Sequence, residues 1–102
     1  SFQEEPNTDY YSNHWLTTIL IEPQKSKGKT REDLRLYLES KNIETRPLWK
    51  PMHLQPVFAA CPAYTNGVSD RLFETGLCLP SSSNITNDER DTVVSSIKEI
   101  LS

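Results

Sequence analysis

The chain has 102 residues, a formal net charge of −3 at pH 7 and 35% hydrophobic residues. This length is enough for one domain with a single core and too short for a cofactor-binding domain joined to a second module. Basic residues are interspersed with acidic ones, so no basic stripe is available for a phosphodiester backbone, and no apolar run reaches the roughly 20 residues that span a bilayer. We therefore expect neither a nucleic-acid partner nor a membrane partner.

The first part of the chain predicts a polar lead-in and then a strand. Residues 1–13 are polar without a clear period and begin with Ser rather than Met, so we expect a segment cut from a longer protein. His14 to Glu22 is rich in β-branched residues and stops at Pro23, which predicts a mostly buried strand. Residues 24–29 contain three lysines and a glycine and are expected to form an exposed loop.

A helix and a short strand are predicted next. Thr30 is a good N-cap with Asp33 at the third helical position, and Leu34, Tyr37 and Leu38 fall on one face. This helix should end near residues 41–42. Ile43 to Arg46 alternates apolar and polar residues, which predicts a short strand ending before Pro47.

Residues 47–67 form a proline-rich stretch with four prolines, which excludes a long regular element. The stretch is too apolar for a disordered segment, because it contains Trp49, Met52, Leu54, Val57 and Phe58. Long irregular segments within compact domains are often site-forming. We therefore expect a functional loop whose apolar side chains pack against something.

The last part of the chain predicts helix, strand and helix. Val68 to Thr75 is expected to form a short helix that Gly76 ends, followed by a brief buried strand at Leu77 to Leu79. Thr86 and Glu89 form a capping box for a final helix. Its predicted buried stripe consists of Val93, Val94, Ile97, Ile100 and Leu101. The order of elements implies an α+β fold with a small three-stranded sheet and helices packed on one face.

The cysteines and histidines exclude two common kinds of site. Cys61 and Cys78 lack a CxxC spacing, and no secretory signal appears, so we expect two reduced thiols and a cytoplasmic location. Only His14 and His53 are present, and neither has a carboxylate at helical spacing, so no zinc site is expected.

The densest group of functional side chains lies where the second strand enters the proline-rich stretch. Arg46 offers a fork of donors for phosphate or carboxylate, Lys50 a compact second charge and Trp49 a flat face for a base or sugar. His53 can donate or accept a proton near neutral pH. Together these groups suit a nucleotide sugar. The alternative is structural: Trp49 as core filler, Arg46 and Lys50 as solvated charges, and His53 as a satisfied structural histidine.

Three segments resemble the DegT/StrS sugar aminotransferases over nearly the whole chain. They are Ser12-Asn13-His14-Trp15-Leu16-Thr17, Ile43-Glu44-Thr45-Arg46-Pro47-Leu48-Trp49-Lys50-Pro51-Met52-His53-Leu54-Gln55, and Gly76-Leu77-Cys78-Leu79-Pro80-Ser81. The second segment is the most specific. It looks closest to the branch that aminates a UDP-linked 4-keto-6-deoxy sugar in bacterial glycan pathways.

The resemblance implies a fold-type I pyridoxal-phosphate enzyme, a homodimer with active sites at the subunit interface. Residues 14–102 would be its C-terminal small domain, and the large cofactor-binding domain is absent. The reaction implied is transfer of an amino group, typically from glutamate, to the keto carbon of the nucleotide sugar. The Schiff-base lysine and the carboxylate that pairs with the pyridinium nitrogen belong to the large domain. We therefore expect this chain alone to bind no cofactor and to be inactive.

The resemblance also implies a role for particular residues in substrate binding. Arg46, Trp49, Lys50 and His53 would line the nucleotide-sugar side of the cleft, and Asn13, His14 and Trp15 would lie in the segment entering it. A rival interpretation from another class is an autonomous α+β binding module that recognises a peptide or nucleotide without a cofactor.

Overall fold

The computed structural model describes residues 1–2 and 4–102. The elements in chain order are β1 (Thr17–Leu20), α1 (Arg31–Ser40), β2 (Arg46–Pro47), two 3₁₀ turns (Met52–Leu54 and Pro56–Phe58), α2 (Val68–Thr75), β3 (Gly76–Leu79) and α3 (Asn87–Leu101). The α+β fold with a three-stranded sheet is confirmed.

The sheet has the strand order β1-β3-β2, and both pairings are antiparallel. Ile19 lies opposite Leu77, and Cys78 lies between Thr18 and Arg46. The start of the chain adds to the outer edge of β1, where Phe2 forms a bridge with Ile19. The last strand in sequence, β3, is therefore the central one, and it pairs with both edge strands.

The core lies between the sheet and the two longer helices. Leu34, Leu38 and Leu77 are fully buried, and they form one cluster with Ile19, Ile21 and Ile43. Leu79, Val93, Ile97, Ile100 and Leu101 pack against this cluster. Because side chains alternate along a strand, α1 and α3 cover the face of Ile19 and Leu77 and leave the Thr18 and Cys78 face on the other side.

The predicted N-cap at Thr30 and the predicted capping box at Thr86 are present, and the structure shows a complete capping box at both. The Thr30 hydroxyl accepts the Asp33 N–H, and an Asp33 carboxylate oxygen accepts the Thr30 N–H at 2.9 Å. Thr86 and Glu89 make the same reciprocal pair at α3. These bonds satisfy amides that have no partner within the helix, so the helix starts agree with the sequence.

Two strand predictions need correction. The first strand is Thr17–Leu20 rather than 14–22, because His14 has a φ of +52° and turns the chain before the sheet begins. The second is Arg46–Pro47 rather than 43–46. Pro47 is tolerated there because β2 is an edge strand, where a missing N–H costs no ladder bond.

One burial prediction is wrong, that for Val94, and the packing partner of the proline-rich stretch is not found within the described part of this chain. The exposed residues among the apolar side chains named for this stretch are Trp49, Met52, Leu54 and Val57, so its expected packing against a partner stays a prediction. Val94 is also exposed, since the helix turns it away from the stripe that Val93 and Ile97 share. After Pro47, which ends β2, the stretch has only the two three-residue turns as regular structure, as its prolines predict.

Candidate functional site

Trp15 and Trp49 form an exposed aromatic pair. Their ring centroids are 6.1 Å apart and the planes are inclined by 44°. The side chains are 67% and 68% exposed, respectively, so the alternative of Trp49 as core filler does not hold within this chain. Trp15 lies just before β1 and Trp49 just after β2, and the central β3 brings the two edges into one sheet. The pair separates two clefts.

The larger cleft has a volume of about 1170 Å³ and is called the Arg46 cleft here. Trp15, Trp49 and Arg46 line it on one side, and the start of α3 contributes Glu89 and Thr92. Polar groups of Asn42, Thr45, Ser82 and Asn84 also face it. Ligand pockets commonly have about 300–1,000 Å³, so this cleft has room for a drug-sized or larger ligand.

The smaller cleft, called the His14 cleft here, has a volume of about 710 Å³. Asn13, His14, Trp15 and Trp49 line it, together with Leu48 and Phe73. Both tryptophans therefore belong to both clefts, whereas Arg46 belongs to one and His14 to the other.

Hydrogen bonds from side chains to the backbone shape the segment that enters the sheet. The Ser12 hydroxyl accepts the His14 N–H, and the Asn13 side-chain oxygen accepts the Trp15 N–H at 3.1 Å. Asn13 thus serves as a backbone brace in this chain. Further along, the Ser81 hydroxyl accepts the Thr17 N–H at 2.8 Å and donates to the Leu79 carbonyl. This segment is tied to the end of the central strand.

Arg46 is paired with Glu44 at the exposed edge of the sheet. The carboxylate oxygen Oε1 of Glu44 accepts from Nε at 2.9 Å and from Nη2 at 2.7 Å. The arginine side chain is 79% exposed, so this pair contributes little to stability. The pair takes Nε and Nη2, and the exposed guanidinium lies at the Arg46 cleft, which Glu44 also lines.

His53 and Lys50 lie apart from the two clefts. Nε2 of His53 is 2.7 Å from Oδ1 of Asp70 on α2, and both atoms are buried. The contact is an ion pair by distance, but the ring N–H is not aligned for a hydrogen bond. Lys50 is exposed, and its carbonyl accepts the Gln55 side-chain N–H at 3.0 Å.

The structure thus gathers five of the seven predicted site residues around the aromatic pair: Asn13, His14, Trp15, Arg46 and Trp49. It holds His53 and Lys50 on the adjoining loop. Sequence reasoning missed Glu44, Asp70 and Ser81 as partners. Glu44 and Ser81 lie within segments that carry the family resemblance, whereas nothing near Asp70 in the sequence connects it with His53.

The thiols and acidic side chains suggest no further chemistry. Both cysteines are free; Cys61 is exposed and Cys78 is buried, and burial raises the pKa of the Cys78 thiol. Within the described residues, no group of three or more potential ligands is arranged to hold a metal ion. None of the helices in the same part of the chain is long and apolar enough to cross a membrane.

Comparison with known proteins gives the family. Residues 1–98 match the DegT/DnrJ/EryC1/StrS aminotransferase family. EpsN of Bacillus subtilis (strain 168), described as a pyridoxal phosphate-dependent aminotransferase, is 44% identical over 87 residues. The GDP-perosamine synthase of Escherichia coli O157:H7 is 30% identical over 94 residues. The alignments cover 81% and 92% of this chain but only 21% and 24% of these relatives, so the chain spans less than a quarter of their length.

Solved structures show the same fold. The aminotransferase TlmJ from Streptoalloteichus hindustanus superposes with a TM-score of 0.80 at 16% identity, over 99% of this chain and 26% of that one. A DegT DnrJ EryC1 StrS aminotransferase from Brucella abortus gives 0.67 at 21% identity, over 82% of this chain and 21% of that one.

The lysines of this chain do not have the surroundings that the Schiff-base lysine of a pyridoxal-phosphate enzyme needs. A Schiff-base lysine needs a desolvated site or a nearby cation that keeps its amine neutral. All six lysines here are exposed, namely Lys25, Lys27, Lys29, Lys41, Lys50 and Lys98. Lys41 shows the opposite perturbation, because the hydrogen bond with the Glu99 carboxylate raises the pKa of its amine. No step involving that cofactor is assigned to these residues.

Proposed function

Because the chain belongs to the DegT/DnrJ/EryC1/StrS aminotransferase family, we propose that it is the C-terminal small domain of a pyridoxal phosphate-dependent sugar aminotransferase. In this proposal residues 14–102 form the domain and residues 1–13 lead into it. The domain contributes nucleotide-sugar-binding surface, and a large domain supplies the cofactor and the reacting lysine. The supporting observation is the Arg46 cleft, which combines two aromatic faces with a guanidinium.

The exposed apolar side chains support a missing partner domain. Trp49, Met52 and Val57 are more than half exposed on one loop, and Tyr64 on the same loop is fully exposed. A soluble monomer rarely displays a large continuous apolar patch without a use for it. We propose that the large domain of the same protein packs on this loop. The whole protein would be a homodimeric enzyme located in the cytoplasm.

Each side of the Arg46 cleft suits one part of a nucleotide sugar. The tryptophan faces would stack on the base or the sugar, and the open donors of Arg46 would bind the diphosphate. Lys50 follows Trp49 in the sequence but lines neither cleft, so its positive charge would act on the ligand from the adjoining loop. Glu44 would then hold Arg46 in place through Nε and Nη2 while the donors outside this pair meet the ligand. These groups bind and orient; none of them carries the chemical step.

The nucleotide and the sugar are the finer part of the proposal. We propose a UDP-linked 4-keto-6-deoxy sugar as acceptor and glutamate as amino donor. The names of relatives such as the GDP-perosamine synthases of Escherichia coli O157:H7 and Vibrio cholerae contain a GDP-linked sugar instead. A GDP-linked acceptor is therefore the direct competitor in the test.

The test uses the full-length enzyme with pyridoxal phosphate, offered glutamate and either a UDP-linked or a GDP-linked 4-keto-6-deoxy sugar. We expect an amino sugar product, with a higher kcat/KM for the UDP substrate. Preference for GDP would overturn the nucleotide assignment alone. Absence of a cofactor absorbance band would overturn the aminotransferase proposal and favour the autonomous binding module.

A matched pair of variants tests the site. We expect Arg46→Ala to raise KM for the nucleotide sugar by roughly tenfold or more, as for loss of a charged hydrogen bond. Arg71→Ala is the control, because Arg71 is also exposed, on α2, and lines neither cleft. Equal effects of the two substitutions would remove Arg46 from the site.

A further inference from the structure

His53 and Asp70 join the loop after β2 to α2. His53 lies in the 3₁₀ turn Met52–Leu54, and Asp70 lies in the first turn of α2. Their atoms Nε2 and Oδ1 are 2.7 Å apart. Among the ion pairs of the described residues, this is the one that connects the loop with another element.

Both atoms of the pair are buried and, in the part of the chain that the structure describes, have no other partner. Buried polar groups in native proteins are almost always hydrogen-bonded, so two such atoms at this distance are each other's partner after a small rotation of the ring. An ionised carboxylate can only accept. Nε2 must therefore carry a proton, and Nδ1 is the nitrogen left for a ligand.

The neighbouring structure holds the imidazole in one place. Backbone bonds from Leu54 to Pro51 and from Gln55 to Met52 close the turn around His53. The side-chain oxygen of Asn66 accepts the Val68 N–H at the start of the helix that carries Asp70. Both partners thus stand on short, internally bonded segments, and the ring, whose side chain is 23% exposed, still reaches the surface.

We propose that Asp70 is a positioning residue for His53. It fixes the Nε2–H tautomer and leaves Nδ1, on the loop that adjoins the two clefts, as the nitrogen available to the substrate of the aminotransferase. The role of Nδ1 toward the substrate rests on the proposed function, whereas the Nε2–H tautomer concerns this chain alone. Asp70 itself does not touch the substrate.

The first experiment is ¹⁵N-edited NMR of the imidazole groups in the labelled chain near pH 8. We expect a separate His53 Nε2–H resonance, protected from exchange with water, in the wild type and in Asp70→Asn, which keeps an acceptor oxygen. Asp70→Ala should lose it. Exposed His14 is the internal reference and should show no protected N–H. Asp88→Ala, in the first turn of α3, is the matched control and should keep the His53 resonance.

Absence of the protected resonance from the wild type would overturn the proposal, and so would its survival in Asp70→Ala. The wild-type spectrum decides even if Asp70→Ala does not fold.

The second experiment measures KM and kcat in the full-length enzyme. We expect Asp70→Ala and His53→Ala to raise KM for the nucleotide sugar by similar factors of about ten, and the double variant by no more. Independent, multiplying effects would contradict the positioning role, while the NMR result stands apart from the aminotransferase assignment.

Discussion

The indole rings of Trp15 and Trp49 meet at 6.1 Å although they come from opposite edges of the sheet. Aromatic pairs at this separation add about 0.5–1.5 kcal/mol beyond the burial of their area. We therefore expect a coupling free energy of about 1 kcal/mol between Trp15→Ala and Trp49→Ala in a double-mutant cycle.

Urea unfolding followed by far-UV circular dichroism measures this coupling, because the substitutions remove both indole fluorophores. A cycle between Trp15→Ala and Tyr64→Ala is the control, since Tyr64 is fully exposed and should not couple. A Trp15–Trp49 coupling near zero would show that the rings do not interact in solution.

The start of α1 gives the chain an acid-sensitive contact. The hydrogen bond from the Thr30 N–H, followed by that with its side chain, lowers the pKa of the Asp33 carboxyl below its usual value. A carboxyl whose pKa is lower in the folded state stabilises the fold above its unfolded pKa, about 3.9, and that contribution is lost as pH falls through the folded value. We expect Asp33→Asn to flatten the decline of stability as the pH falls below about 5.

The free energy of unfolding at several pH values checks this expectation. Asp88→Asn is the matched control, because it removes one carboxylate from the first turn of α3 and leaves the Thr86–Glu89 capping box in place. Identical pH slopes for wild type and Asp33→Asn would show that Asp33 does not drive the acid response.

Gly76 allows α2 to turn directly into the central strand. A Cβ at this position would lie 2.5 Å from the Leu72 carbonyl oxygen and collide with the Leu48 side chain. We expect Gly76→Ala to lower the free energy of unfolding by about 1–3 kcal/mol, the range for an overpacked interior. Denaturant titration measures it.

A second substitution separates the two clashes. Leu48→Ala in the Gly76→Ala background should restore part of the loss, because two of the three close approaches involve Leu48. The clash with the Leu72 carbonyl would remain. Absence of any recovery would place the whole cost on the backbone contact.

The two cysteines differ in accessibility and should differ in reactivity. Cys61 is exposed, whereas Cys78 is buried in the central strand and burial raises the pKa of its thiol. The thiolate is the reactive form, so both effects protect Cys78. We expect an alkylating reagent to modify one thiol in the native chain and both in denaturant, as read by mass spectrometry. Cys61→Ser should abolish native labelling; rapid labelling of that variant would contradict the buried position of Cys78.

Local signals predicted the helices well. The caps at Thr30 and Thr86 act over three residues, and the short helix Val68–Thr75 ends at Gly76 as that glycine predicts. The predicted buried stripe of α3 includes Val94, which is exposed. Periodicity alone does not tell how much of a helix face the sheet covers.

Strand limits and site partners depended on contacts between distant residues. Pro47 belongs to β2 because Leu77 of the central strand lies opposite it, and only the strand order shows that β2 is an edge. Asp70 became a candidate through a single distance to His53. Neither residue type nor spacing contains that information.

The amino-acid sequence by itself determined the fold class, the helix starts and the family, because each depends on residue patterns that are local or shared with relatives. The tertiary structure decided which predicted site residues stand together. It brought Trp15, Trp49 and Arg46 around one cleft and placed His53 against α2. The physical reason is that strand order and side-chain packing set these distances. Both depend on which apolar side chains of the whole chain are buried together.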